Sequence, residues 1–152
     1  MADPIDLREV SGCTCLRARR LARQLTAAYD RALKPVGLTV NQFGVLAKLY
    51  GATRGGPAGL AIGALAERVG MHPTTLNRDL KPLKAQDLIA DAAEGSDRRV
   101  RAVIITAKGL AKLRKAIPLW RHAQKQLEAG LGAEATRALN ELLDLASTKL
   151  GK

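Results

Sequence analysis

Cysteine, aromatic residues and long apolar runs are all scarce in this chain of 152 residues. Two cysteines are too few for a disulfide scaffold, and with only two histidines they are too few for a structural zinc site. No apolar run approaches the ~18 residues of a membrane span, and the acidic start lacks the order of a signal peptide. Aromatic residues make up 3%, so we expect an aliphatic core. The sequence therefore indicates a cytoplasmic protein of one domain, residues 1–152, with no cofactor, metal or membrane partner.

Acidic residues are scarce as well, and the charge is unevenly distributed. The chain has 14 Asp and Glu against 25 Lys and Arg, which gives a net charge of +11. Residues 31–66 and 102–125 contain basic residues and no acidic ones, whereas residues 67–101 are nearly balanced. A surplus of this size fits a nucleic-acid partner. A protein with a solvated basic face is the alternative, and the net charge alone does not distinguish the two.

Hydrophobic spacing predicts a helix from about residue 13 to residue 33. Thr39 and Gln42 form a capping-box pattern that opens a second helix, and residues 51–59 have the composition of a loop. Two short helical patterns follow, over residues 62–69 and 73–83, separated by a turn with Gly70. That arrangement is typical of a helix-turn-helix.

The chain then changes to β-branched residues around a charged turn, which predicts a hairpin "wing" ending with residues 100–105. Thr106 is placed to cap a long helix, in which Pro118 should produce a kink, and residues 133–150 form a last helix. The predicted fold is mainly α with a small β-hairpin wing, in the order α-α-α-α-β-β-α-α, a winged helix-turn-helix.

One side of the second short helix is predicted to be polar, because its leucines recur on the opposite side. Threonine, asparagine, arginine and lysine there suit the base edges and phosphates of a DNA major groove. An ordinary exposed helix face is the alternative. The candidate DNA contacts on this helix are Thr74, Thr75, Asn77, Arg78 and Lys81.

The predicted wing tip is basic. Arg98, Arg99 and Arg101 can enter a narrow minor groove, where negative potential is concentrated, and Asp97 can hold a neighbouring guanidinium. A solvated surface turn is the alternative here.

The sequence resembles MarR-type transcriptional regulators over roughly residues 11 to 150. The resemblance is carried by these segments: Leu38-Thr39-x-x-Gln42-Phe43, Ile62-Gly-Ala-Leu-Ala-Glu-Arg-Val-Gly-Met71, Thr74-Thr75-Leu76-Asn77-Arg78, Asp97-Arg98-Arg99, Ile105-Thr106-Ala-Lys-Gly109 and Pro118-Leu-Trp120.

This resemblance implies a winged helix-turn-helix homodimer on inverted-repeat double-stranded DNA, usually a repressor released by a ligand or an oxidant. Residues 39–105 would be the DNA-binding part, and residues 11–36 and 106–150 the helical dimerisation part. By position, the helix residues would read the major groove and Arg99 the minor groove. His72 stands where relatives often have an acidic cap, and Pro82 departs from the wider family.

Two kinds of signal are candidates. Cys13 and Cys15 lie at a helix start near arginines, where a thiol gains thiolate character, and the resemblance includes a hydroperoxide-sensing branch. Tyr29, Phe43 and Trp120 are candidate lining for a small aromatic or anionic effector. The alternatives are buried small side chains for the cysteines and ordinary core packing for the aromatic residues.

Other functional classes have less support in the sequence. There is no Gly-rich phosphate loop, no Gly-x-Ser-x-Gly elbow and no pair of catalytic carboxylates, so an enzyme is not expected. A basic architectural or RNA-binding protein without sequence preference is the main alternative, followed by a scaffold domain that only makes protein contacts.

Overall fold

The computed structural model describes residues 7–53, 59–92 and 101–151. A 3-10 turn, Lys34–Val36, joins the second helix to the third. The helices and strands of these ranges are α1 (Arg8–Ser11), α2 (Thr14–Leu33), α3 (Val40–Thr53), β1 (Leu60–Ala61), α4 (Ile62–Val69), α5 (Pro73–Ala85), β2 (Ile89–Asp91), β3 (Ala102–Ile105), α6 (Ala107–Leu131) and α7 (Ala133–Leu150).

The predicted winged helix-turn-helix order is confirmed, with the short elements α1 and β1 in addition. Strand β1 has only two residues, too few to leave a periodic pattern in the sequence. It pairs antiparallel with β3, which also pairs antiparallel with β2 on its other side, so the sheet order is β1-β3-β2. Leu60 lies opposite Val103, and Ile89 opposite Ile105. The return strand of the wing is therefore hydrogen-bonded along both edges.

The start of α3 follows the predicted capping box. The Gln42 amide donates to Thr39 Oγ1 at 3.2 Å, and the Thr39 amide donates to Gln42 Oε1 at 3.1 Å. The predicted loop at residues 51–59 is wrong at its beginning, because α3 continues to Thr53. Ala52 packs against the core, so tertiary contact carries the helix past Gly51.

The core is aliphatic, as expected, and lies where α3, α4 and α5 meet the sheet and the first half of α6. Its fully buried side chains include Leu46, Leu65, Leu76 and Val103. Phe43 and Trp120 pack on its edge. This core fixes the position of α5 relative to the wing.

Helix α7 presents its leucines to solvent in the single chain. Leu142 is 63% exposed and Leu145 is 54% exposed, and Leu143 and Leu150 are also exposed. Leu16 on α2 is similarly uncovered. The apolar stripe predicted for residues 133–150 is therefore present, and the residues that the structure describes leave most of it exposed.

Candidate nucleic-acid interface

The turn between α4 and α5 is fixed by backbone geometry. Gly70 has φ +68°, in the left-handed region, and its amide donates to the carbonyls of Ala66 and Glu67 at the end of α4. The Met71 amide also donates to the Ala66 carbonyl, at 2.9 Å. Glycine suits this conformation because it has no Cβ to clash. The two helices are consequently joined by a short, well-defined turn.

Helix α5 begins with His72 as its cap and Pro73 in its first turn. The Thr74 amide donates to His72 Nδ1 at 3.3 Å, which is at the long end of the hydrogen-bond range. Pro73 loses nothing at this position, because its missing N–H would have no helical partner.

The two sides of α5 differ as the spacing predicts. Leu76, Leu80 and Leu83 are buried in the core. The structure brings the five candidate side chains of this helix to the surface: Thr74, Thr75, Asn77, Arg78 and Lys81 are all exposed.

Pro82 lies inside α5 without ending it, since the helix runs on to Ala85. Proline has no N–H to donate to the carbonyl four residues earlier, which is that of Arg78. The polar side chains of the first two turns all precede Pro82, so they lie on uninterrupted helix.

The wing is described at its base. The Arg101 carbonyl accepts from the Ile62 amide at 3.0 Å, and the Ala92 amide donates to the Ala102 carbonyl at 3.0 Å. Arg101 itself is exposed. The other candidate wing contacts, Asp97, Arg98 and Arg99, lie outside the described residues.

An ion pair that sequence reasoning missed joins α5 to the wing. Lys84 Nζ donates to Asp91 Oδ1 at 2.5 Å, from the last turn of α5 to the last residue of β2. The hydrogen bond from Lys84 lowers the pKa of the Asp91 carboxyl, and the charges of Lys84 and Arg101 act in the same direction. The seven-residue separation crosses a turn, so no periodic signal could have identified the pair.

The Thr106-x-x-Gly109 segment at the start of α6 packs closely against the backbone of Asp87 and Leu88. Thr106 Oγ1 donates to the Asp87 carbonyl at 2.6 Å and accepts from the Gly109 amide at 3.0 Å. The Thr106 amide donates to the Leu88 carbonyl at 3.1 Å. Gly109 is buried against that same carbonyl, which leaves no room for a side chain.

The three aromatic candidates for an effector site are not brought together. Phe43 and Trp120 stack on each other with ring centroids 5.9 Å apart and an interplanar angle of 16°. Tyr29 instead lines a groove of about 430 Å³ between α2 and α6, together with Arg31 and His122. Its hydroxyl donates to Gln124 Oε1 at 2.5 Å. Burial, with the nearby Glu128 carboxylate, raises the pKa of the Tyr29 hydroxyl.

The two cysteines lie at the start of α2, as predicted, and both are free thiols. Cys13 is the N-cap residue and is half-buried, whereas Cys15 is exposed. Arg17 approaches this end of the helix, since its guanidinium donates to the Ser11 carbonyl at 3.2 Å.

Residues 7–53, 59–92 and 101–151 contain neither a candidate metal centre nor a candidate membrane-spanning helix. No cluster of three or more His, Cys, Asp or Glu side chains in these ranges could hold a metal ion. No helix among them combines the length and hydropathy needed to cross a membrane.

The chain is similar in sequence and in structure to known transcriptional regulators. No protein-family model matches it. It is 39% identical to the M. tuberculosis transcriptional regulator MosR, whose structure was solved in complex with DNA; the match covers 90% of this chain and 97% of MosR, with a TM-score of 0.73. It is 28% identical, over 82% of its length and 86% of the relative's, to the HTH-type transcriptional repressor Rv2887 of M. tuberculosis.

The structure of an E. coli MarR mutant complexed with operator DNA is 20% identical and shares the fold, with a TM-score of 0.78 over 93% of this chain and 99% of that one. These relatives are transcriptional regulators, which confirms the prediction that the chain is not an enzyme. The identity to MosR over nearly the whole length, together with the shared winged fold, shows that the chain belongs to the MarR family of transcriptional regulators.

Proposed function

We propose that this protein is a repressor that binds inverted-repeat double-stranded DNA as a homodimer, and that a small ligand or an oxidant releases it. The observation that carries the proposal is the exposed polar side of α5, opposite three buried leucines. A rigid helix with one face anchored in the core can present its other face to a major groove without internal rearrangement.

The chemistry of that face suits base readout. Arg78 can form a bidentate pair with guanine O6 and N7, and Asn77 can do the same with adenine N6 and N7. Thr74 and Thr75 at the helix start are placed for phosphate oxygens or a thymine methyl group, and Lys81 for a phosphate. Residues 67–101 are nearly balanced in charge, which favours placed contacts over indiscriminate attraction to DNA.

The proposed homodimer would cover the leucines that the single chain leaves exposed. Burying a leucine side chain contributes about 1.5–3 kcal/mol, so a few such residues from each chain are a substantial driving force. Leu142, Leu143 and Leu145 lie on α7, and Leu16 lies on α2. Paired α5 helices would then read half-sites about 10 bp apart on one face of the DNA.

The decisive experiment is to select bound fragments from the source genome and to measure the affinity of the purified protein for the selected operator and for random DNA. Arg78→Ala should lower operator affinity by about 1–3 kcal/mol and change random-DNA affinity far less. Equal losses on both DNAs would favour the alternative, a basic architectural or RNA-binding protein without sequence preference.

The α2–α6 groove supports a small anionic effector with an aromatic or apolar body. Arg31 offers a cation, Tyr29 and His122 offer polar edges, and Leu25 and Leu127 offer apolar walls. The groove also has a physical connection to the DNA-binding part, because the neighbouring Asp30 accepts from the Val40 amide at 2.7 Å and so holds the first turn of α3.

An effector test can use 2-hydroxybenzoate as the probe. Its addition should weaken operator binding by the parent protein, and Arg31→Ala should remove that response while keeping operator affinity. Lys115→Ala on α6 loses the same charge outside the groove and serves as the matched control. An Arg31→Ala protein that responds like the parent would show that the anion is held elsewhere.

The position of the two cysteines supports oxidant release. An organic hydroperoxide can take two electrons from the Cys13 and Cys15 thiols, forming one disulfide, one alcohol and one water. Residues two apart on a helix point to different sides, so closing this disulfide would unwind the first turn of α2. Mass spectrometry after mild hydroperoxide treatment should show the loss of two hydrogens together with weaker operator binding. Unmodified cysteines with unchanged affinity would remove the idea.

A further inference from the structure

We infer that Asp91 is a positioning residue for DNA readout, which acts by tying the base of the wing to the end of α5 through Lys84. The inference rests on the proposed function, because it concerns how two DNA-contacting elements are held at one angle. The Lys84–Asp91 ion pair lies where such a restraint would act, since α5 carries the candidate major-groove residues and the hairpin leads to the candidate minor-groove residues.

The strand register brings the Asp91 carboxylate toward α5. Ile89 and Asp91 are two residues apart on β2 and therefore lie on the same face of the sheet. Ile89 is buried in the core, whereas Asp91 continues that face beyond the edge of the core and is 63% exposed. Lys84 meets it there from the last turn of α5, with Nζ 2.5 Å from Oδ1.

The connection between the two residues is itself well held. The Leu88 amide donates to the Leu83 carbonyl and the Asp87 amide to the Lys84 carbonyl, both at 2.9 Å. The turn thus fixes where β2 starts, and the ion pair adds a second attachment three residues further along. The core holds β2 as far as Ile89, and the ion pair adds an attachment at the exposed end of this strand, where it restrains the tilt of the hairpin relative to α5.

Arg101 joins the same group from the return strand. Asp91 lies opposite Val103 in β3, and Arg101 immediately precedes β3. The Arg101 charge lowers the pKa of the Asp91 carboxyl, after the larger effect of the Lys84 hydrogen bond. The Asp91 carboxylate is therefore hydrogen-bonded to Lys84 of α5 and also interacts electrostatically with Arg101 at the base of the wing.

Neither a contribution to folding stability nor a contribution to DNA affinity through charge explains a carboxylate at position 91. An exposed ion pair contributes only about 0–1 kcal/mol to stability, so the fold does not depend on it. A negative charge on the DNA-facing half also repels phosphates, so electrostatics alone predicts tighter binding when Asp91 is neutralised. If Asp91 positions the wing, neutralising it should instead weaken binding to the operator. A wing held at the wrong angle would lose contacts that only the specific complex makes.

The experiment compares the affinities of the purified protein for operator DNA and for random DNA at fixed salt. Asp91→Asn should lower the ratio of the two affinities by about fivefold, the upper range for an exposed ion pair. Glu67→Gln is the matched control, since it removes one negative charge at an exposed position of α4. It should strengthen binding to both DNAs without changing the ratio of the two affinities. The double swap Lys84→Asp with Asp91→Lys keeps the net charge and should restore the ratio.

A hydroxyl-radical footprint adds a readout that stability alone would not move. In Asp91→Asn the hydroxyl-radical protection of the flanking minor grooves should fade, while the protection of guanine N7 from dimethyl sulfate in the major grooves stays. If Asp91→Asn instead tightens both DNAs as Glu67→Gln does, or if the swap fails to restore the ratio, the inference is overturned. A parent protein that shows no operator preference would refute the proposed function itself, which is a separate and earlier outcome.

Discussion

Replacing Gly109 by alanine tests the packing that orients the wing. A Cβ at this position would overlap the Leu88 carbonyl oxygen and come within 2.9 Å of both the Leu88 carbonyl carbon and Ile105 Cγ1. Backbone cannot rotate away as a flexible side chain can, so α6 or β2 must shift. Overpacking of this kind costs about 1–3 kcal/mol, and a weakened Thr106-to-Leu88 hydrogen bond adds about 1 kcal/mol. We therefore expect a loss of about 3 kcal/mol.

Thermal denaturation followed by circular dichroism measures this loss. For a chain of this size about 3 kcal/mol corresponds to a fall in Tm of roughly 6–12 °C. Gly130→Ala is the matched control in the same helix, because a Cβ there meets nothing within 4 Å and removal of a helical glycine should stabilise by about 0.5–1 kcal/mol. Equal Tm values for the parent and Gly109→Ala would refute the steric reasoning.

Three further predictions concern the turn, the dimer and the DNA. Asp87, two residues after the end of α5, has φ 57°. Asp87→Gly should relieve left-handed strain and raise the free energy of unfolding by about 0.5–1 kcal/mol in a denaturant titration, and a lower midpoint would contradict this. Leu142→Lys should shift the protein toward monomer in sedimentation velocity and weaken operator binding in parallel, whereas an unchanged dimer would place the interface elsewhere. If the dimer neutralises about 8 phosphates, log K should fall with log salt at a slope of about −7, and a slope near zero would exclude that contact set.

Much of the fold could be predicted because its local signals are strong. The capping box at Thr39 and Gln42, the left-handed Gly70 and the leucine spacing of α5 each act within a few residues. The exposed polar side of α5 followed directly from that spacing. The spacing of apolar residues was sufficient to predict a helix and its buried face wherever only one face of the helix packs against the core.

The features that were missed depend on contacts between distant segments. Strand β1 exists because Leu60 and Ala61 find hydrogen-bond partners in β3, about 40 residues later. The Lys84–Asp91 pair spans a turn, and the Phe43–Trp120 stack depends on how α3 crosses α6. The sequence contains these residues but not the distances between them.

The central position of β3 has a consequence for protein engineering. Its two edges are both occupied, and at the point where the hairpin leaves the sheet Arg101 is held by Ile62 while Ala92 is held by Ala102. A one-residue slip of β3 would break hydrogen bonds to β1 and to β2 at once. Changes in the segment attached to this end of the sheet should therefore leave the register of β3 unchanged. Length and sequence between Ala92 and Arg101 can therefore be varied while the strand register at these two residues is kept.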